Sequence, residues 1–489
     1  MTGVRRALAF SFAERYLSLA INLASNMAIA RLLTPAEIGV FSVSLAFIGI
    51  AQVLRDFGVA SYLIQERDLT DRHVSTAFGV LLVLGVSVFL ALFLAAPWIA
   101  AAYGEPAMTL TLRICSLNFL LLPFCTVSLA LLRRAMAFKR LTLIGFVATA
   151  VGAAATVGMA YLDFGVTSLA VGSVLVNAVT GIGALWARQE RRILMPGFSE
   201  WRKVLNFGAQ SSAAGVVTSI SMDINDLAVG KLMGFEPVAL LSRAQGLMNM
   251  FHRDLMAAVR NVAFPAYARA AREQQAMEPL YVTSVTHVTV VAWPFYGFVS
   301  LYALDILRLM FGAQWDAAAP LVPVFCLAGA AAATISLIAN LILALGRIDL
   351  VTKVELFFQP LRAALVVVAA LTFKTTMACA LALVLAFFLH VPLMYYVKGR
   401  CLPNDYRLLW RGLGQSLGVT LLALALPALM AVASARLEGV VPRWAFFAPA
   451  TVMCVAAWLA ALVWLRHPLA QDEVFLRLLK RFRLRRLPH

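Results

Sequence analysis

Long apolar runs alternate with short polar breaks along almost the whole sequence, and this pattern limits the fold more than any other feature. A helix needs about 20 mostly apolar residues to cross a bilayer, and about fourteen runs reach that length. They begin with 9–33 and 37–63 and end with 412–434 and 444–465. Hydrocarbon offers the backbone no water, so each run has to close its own hydrogen bonds as an α-helix. The composition agrees, with 62% hydrophobic and 13% charged residues, where a soluble domain carries about 25% charged. The expected fold is an all-α polytopic membrane protein of about fourteen spanning helices. The breaks do not exceed about 20 residues, which leaves no room for a large soluble catalytic domain, so no enzyme is expected. Six cysteines are scattered without CxxC or Cys/His spacing, so they read as small packing residues, with no metal site and no cofactor expected.

The net charge of +17 does not imply a nucleic-acid partner, because the basic residues sort by loop. Arg133, Arg134, Lys139 and Arg140 fall in one set of breaks, as do Arg188, Arg191, Arg192, Arg202 and Lys203, and then Lys398, Arg400, Arg407 and Arg411. With the N-terminus in the cytoplasm, basic loop residues favour the inside by about four to one. Both termini are therefore expected in the cytoplasm. The last stretch sets Phe475, Leu478, Leu479 and Phe482 at helical spacing among Arg477, Lys480, Arg481, Arg483, Arg485 and Arg486. This is the pattern of an amphipathic segment lying on an anionic leaflet.

A weak internal repeat organises the chain. ARLLTPAEIGVFSVS at 30–44 is echoed by GKLMGFEPVALLSRA at 230–244, Arg55-Asp56 by Arg253-Asp254, and Tyr103-Gly104 by Phe311-Gly312. The common spacing predicts a six-helix lobe at 1–195, a second at 196–400, two more helices at 401–466 and the basic tail at 467–489. Six is even, so both copies insert the same way up and flank a path between them.

Charged residues inside the runs are the candidate site. A charge at mid-membrane costs at least 2.5 to 3.5 kcal/mol on insertion scales, so it faces protein or a wet cavity. The hairpin 207–265 carries Asp223, Asp226, Arg243, Arg253, Asp254 and Arg260. Ser242, Asn249, Arg253 and Arg260 fall on one helical stripe. Arg15 and Arg55 lie about twenty residues from the turn near Pro35, as Arg253 does from Gly234, so all three share one level in the cytoplasmic half. Glu14, Asp56 and Asp254 stand beside them, and interhelical ion pairs explain the same residues. Asp223 and Asp226 are level with Arg243 near the outer end, which suits a gating pair or a proton-carrying carboxyl. Lys353 and Arg362 could line the second lobe, although Lys353 is also placed to snorkel.

Three of these segments carry a family resemblance: ARLLTPAEIGVFSVS at 30–44, LRDFGVASYLIQ at 54–65 and LLRRAMAFKRL at 131–141. They resemble the first hairpin turn, the end of the second helix and the basic fourth loop of polysaccharide flippases in the multidrug/oligosaccharidyl-lipid/polysaccharide exporter superfamily. The resemblance implies alternating-access translocation of an undecaprenyl-diphosphate-linked oligosaccharide across a bacterial inner membrane. A polysaccharide polymerase and export machinery are the partners it implies. Arg15, Arg55 and Arg253 then become a grip on the diphosphate, because an arginine fork matches phosphate oxygens. Asn249, Arg260, Lys353 and Arg362 become secondary cavity residues. A cation-coupled multidrug exporter and a lipid II flippase of the same superfamily are the alternatives.

Overall fold

The computed structural model describes residues 2–56, 59–66, 68–188, 195–199, 201–202, 223–436 and 444–472. Every regular element among them is helical. Eleven helical stretches are long and apolar enough to span a bilayer. Of the other expected runs, the first is helical over Thr2–Leu32, with a shorter apolar stretch at Leu17–Leu32. The seventh lies largely at 203–222, outside the described residues. The eighth is helical throughout but carries too many charges to read as a simple apolar span.

The chain falls into two compact units, Met1–Ala239 and Leu240–His489. The first contains α1 (Thr2–Leu32), α2 (Pro35–Asp56), α3 (Val59–Gln65), α4 (Asp71–Tyr103), α5 (Ala107–Ser116), α6 (Asn118–Arg134), α7 (Phe138–Tyr161) and α8 (Val166–Ala187). It closes with α9 at 223–233 and the start of α10 (Phe235–Asn249). The TPAE segment at 34–37 acts as a capping box. The Thr34 amide donates to Glu37 Oε2 at 2.8 Å, and the Glu37 amide donates to Thr34 Oγ1 at 3.3 Å. Pro35 is preorganised as the first helical residue of α2. Gly104, at φ +70°, ends α4 in the left-handed conformation that glycine adopts without strain.

In the second unit α10 runs through a π-helical turn, Met250–Leu255, into α11 (Met256–Arg272). There follow α12 (Met277–Leu301), α13 (Ala303–Phe311), a 3-10 turn at Ala313–Ala318, α14 (Leu321–Ile335), α15 (Ile338–Ala344), α16 (Ile348–Thr372), α17 (Thr376–Gly399), α18 (Tyr406–Arg436), α19 (Trp444–Trp464) and the short α20 (Pro468–Gln471). The π turn corrects the expected polar stripe. Its i→i+5 bonding rotates everything beyond it, so Arg260 does not continue the α-helical face of Ser242 and Asn249. The two extra helices dock on α12 through polar contacts. Pro294 has no N–H for the carbonyl of Val290, and the Trp458 indole donates to that carbonyl at 2.8 Å. The Tyr302 hydroxyl donates to the carbonyl of Pro427 at 2.9 Å. Of the basic tail, residues 473–489 lie outside the described residues.

Candidate functional site

In the first unit, α9 lies antiparallel along α2, and two glycines of α2 set the approach. A Cβ on Gly39 would stand 1.9 Å from the carbonyl oxygen of Phe235, and one on Gly49 would stand 2.6 Å from Asp223 Oδ2. Small residues at such a seam let helices approach closely in a membrane. Asp223 and Asp226 are half-buried, and Asp223 rests its carboxylate on the bare backbone of Gly49. The far end of α9 is fastened at Tyr103. Its hydroxyl donates to the carbonyl of Leu227 at 3.0 Å, Lys231 Nζ lies 5.7 Å from its ring centroid, and Lys231 also donates to the carbonyl of Ala102. The two glycines differ in what a methyl would strike. Gly39→Ala meets backbone and cannot be absorbed, with an expected overpacking cost of about 1–3 kcal/mol. Gly49→Ala meets a side chain that can swing aside. Membrane abundance and thermal unfolding in detergent should therefore fall for Gly39→Ala and hold for Gly49→Ala.

Arg55 is 2% exposed, near the end of α2, and its Nη1 donates to Thr126 Oγ1 of α6 at 3.2 Å. Arg15 lies in α1, with its side chain outside the described residues, as are those of Glu14 and Asp56. A further intramembrane cation, Arg113 on α5, escaped the depth argument applied to the hairpin. Its guanidinium lies 4.8 Å from the ring centroid of Phe93. One turn further on, the helix breaks at Leu117 between α5 and α6. There Asn118 Nδ2 donates to Ser173 Oγ at 3.2 Å, and Asn177 Nδ2 donates to Asn118 Oδ1 at 2.9 Å. A lone arginine within an apolar run, nine residues beyond Gly104, was the signal available in the sequence.

In the second unit the Arg243 guanidinium lies over two rings, 4.9 Å from the Phe311 centroid and 5.0 Å from that of Trp315. Asp223 and Asp226 belong to the first unit. Arg253 and Asp254 sit in the π turn, with side chains outside the described residues. Asn249 is half-buried just before the turn. Beyond it, Arg260 Nη1 donates to the carbonyl of His252 at 3.4 Å, and Asn340 of α15 donates to the carbonyl of Arg260 at 3.5 Å. Asn340 follows a second break, at Ser336–Leu337, between α14 and α15.

Arg362 is half-buried on α16, and its Nε has no hydrogen-bond partner among the described residues. On the same helix Gln359 Nε2 donates to Glu355 Oε2 at 2.7 Å. The ring of His390 stacks on that of Phe358, with centroids 3.8 Å apart, so this histidine is packed. Lys353 is 75% exposed and 4.0 Å from Asp349, near the start of α16, the placement of a snorkelling side chain. An apolar cavity of about 400 Å³ between α12 and α19, lined by Leu247, Phe295, Phe298, Val455 and Trp458 among others, has no charged group to hold a phosphate.

A polar knot at the base of the second unit was not legible as a site. Lys398, fully buried at the end of α17, pairs with Glu278 of α12 and donates to Asn404 Oδ1 at 2.8 Å. Its ammonium lies 4.7 Å from the Tyr281 ring centroid. The hydroxyls of Tyr281 and Tyr395 both donate to the carbonyl of Thr334 in α14, at 3.2 and 2.9 Å. In the sequence Lys398 reads as one more inside-loop cation.

The family model of polysaccharide biosynthesis proteins matches residues 28–320. The chain is 23% identical over 341 residues to the lipopolysaccharide biosynthesis protein WzxC of Escherichia coli K12, covering 69% of each chain. It is 25% identical over 305 residues to the succinoglycan biosynthesis transport protein ExoT of Rhizobium meliloti, covering 61% of this chain and 60% of that one. It is 23% identical over 303 residues to the teichuronic acid biosynthesis protein TuaB of Bacillus subtilis 168, covering 61% and 62%. The matches to ExoT and TuaB thus span less than two thirds of those relatives. Among solved structures the fold is similar to the lipid II flippase MurJ in an inward closed conformation. That match has a TM-score of 0.73 and 12% identity, over 94% of this chain and 99% of that one. It is also similar to an inward-facing multidrug MATE transporter, with a TM-score of 0.62 and 16% identity, over 78% and 94%. At such identities the likeness is one of fold.

Proposed function

We infer that this chain, which belongs to the polysaccharide biosynthesis protein family, is a flippase. Its substrate is an undecaprenyl-diphosphate-linked oligosaccharide, carried from the cytoplasmic to the outer leaflet of a bacterial inner membrane by alternating access. The observation that supports this most is the family match over residues 28–320 on a chain made of membrane-spanning helices. The protein moves its substrate and does not transform it. Both termini lie in the cytoplasm, and the exported glycan passes to a polymerase and export machinery beyond the membrane.

The substrate has three solvent needs. The polyprenyl tail stays in lipid, the sugars need a hydrogen-bonding cavity, and the diphosphate needs cations. Arg15, Arg55 and Arg253 grip the diphosphate at the inner level, where the bidentate guanidinium fork fits phosphate oxygens. Arg260, Asn249, Lys353 and Arg362 serve the path in the second lobe. Asp223, seated beside Gly49, and Asp226, with Arg243, serve as gate or as proton carriers that couple transport.

Deleting the gene tests the reading. Lipid-linked oligosaccharide should accumulate on the inner leaflet and surface glycan should disappear, with the plasmid-borne gene restoring both. Normal surface glycan in the deletion strain, or a loss of glycan without the accumulated intermediate, overturns it.

A further inference from the structure

We infer that the basic turn between α6 and α7, with the apolar row that runs down α7 from it, is a docking site for an anionic phospholipid of the cytoplasmic leaflet. The site lies wholly within the first unit and does not depend on the substrate proposed above. The segment LLRRAMAFKRL at 131–141 holds four cations and no acid. The fold puts those cations to two different uses.

Two of them are clamps. Arg134 Nη1 donates to the carbonyls of Leu63 at 3.1 Å and Ile64 at 3.4 Å, and also to that of Glu66. These carbonyls close α3, where a helix has no further N–H of its own to offer them. Arg140 Nη1 donates to the carbonyl of Ala187, the last residue of α8, at 2.7 Å. The turn is thereby tied to two neighbouring helix ends. Within it the Met136 amide donates to the carbonyl of Arg133 at 3.0 Å, and Met136 takes a left-handed φ of +53°.

The other two cations, Arg133 and Lys139, are exposed and make no hydrogen bond or ion pair among the described residues. Met136 and Phe138, between them in the turn, are exposed as well. Apolar side chains interleaved with free cations suit the headgroup layer of an anionic leaflet. The same side of α7 then continues into the bilayer. Lys139, Leu143, Val147 and Val151 follow at four-residue spacing, a row that slants along one side of the helix, and all four are exposed. A row of leucine and valine offers sugars and water nothing to bond, so it faces hydrocarbon. A cation at the head of an exposed apolar row fits a molecule with an anionic head and an acyl chain. The flexible lysine stem lets its ammonium rise to the phosphate. Bulk anionic phospholipid greatly outnumbers any lipid-linked diphosphate in the leaflet, so mass action gives it the site. Its phosphate is shared by Arg133 and Lys139, and it braces the turn that pins the ends of α3 and α8.

The test uses the full chain in nanodiscs of equal parts phosphatidylcholine and phosphatidylglycerol. A trace of either lipid carries a photoreactive diazirine on its acyl chain, and the labelled peptides are mapped. Photoreactive phosphatidylglycerol should label 138–151 well above photoreactive phosphatidylcholine. One cation near an anionic headgroup is worth about a fivefold preference. Arg133→Gln with Lys139→Gln should therefore cut the phosphatidylglycerol label there by about tenfold or more, while label on α19 stays as it was. Unlabelled undecaprenyl diphosphate, far scarcer than the phosphatidylglycerol, should not displace the label. Equal labelling by the two lipids, or a label that survives both Gln changes, overturns the site. Displacement by scarce undecaprenyl diphosphate overturns it too, and would make the turn a substrate dock instead. Should the double variant fail to accumulate, Lys139→Gln alone is read in the same way, with a loss of about fivefold expected and an unchanged label overturning the proposal.

Discussion

Arg55→Ala is expected to abolish surface glycan export while the protein remains in the membrane at close to its normal amount. Arg55 is 2% exposed and bonded to Thr126. A cation that meets its ligand in one state of an alternating-access cycle has to be satisfied by protein in the other. Two charge-assisted hydrogen bonds to a diphosphate are worth about 3 kcal/mol or more together, so export should drop by at least about a hundredfold. Arg55→Lys should recover part of it. Thr126→Val, which removes the protein partner and keeps the cation, should cost far less. Immunoblotting of membranes beside surface glycan staining measures both quantities. Disappearance of the Arg55→Ala protein, relieved by Asp56→Asn, would instead assign Arg55 to an ion-pair network and remove it from the grip.

The largest stability effect is expected at the Lys398 knot. Lys398→Ala leaves Glu278 without its cation in a site shared by α12, α17 and α18. Breaking a buried pair by removing one partner costs roughly 3–5 kcal/mol in soluble proteins. The variant should be nearly absent from membranes, and what remains should unfold at a clearly lower temperature in detergent. Glu278 keeps one further tie, accepting from the amide of Asp405 at 3.0 Å. Lys398→Met combined with Glu278→Gln removes both charges and keeps the volume, so it should recover much of the abundance. A double variant as depleted as Lys398→Ala would show that geometry around Asn404, rather than the stranded charge, holds the knot. Wild-type abundance of Lys398→Ala would show the pair to be dispensable.

The helical class of this protein follows from its apolar runs alone, because a chain in hydrocarbon has one way to satisfy a long apolar segment. The turn at 34–37 was equally readable, since TPAE carries its capping hydrogen bonds within four residues. That Arg55 and Arg243 lie within helices was readable in the same way, since both fall inside long apolar runs. Which way a residue faces was less secure, and the π turn at Met250–Leu255 shows why. One interruption of the i→i+4 ladder rotates every later side chain, and no residue type marks it in the sequence. The break at Leu117 was hidden for the same reason, since neither glycine nor proline stands there.

What the sequence by itself determined is therefore the part governed by local rules: helical segments, their number to within a few, and capping at the first turn. Tertiary structure alone decided partners. Gly39 and Gly49 mean nothing until α9 is laid against α2, and Lys398 is a loop cation until Glu278, 120 residues earlier, is brought beside it. The aromatic beds under Arg113 and Arg243 likewise come from other helices or from a later turn. A helix sets its own hydrogen bonds and its own length, but the neighbour that meets each face is chosen by packing across the bundle, and nothing local encodes that choice.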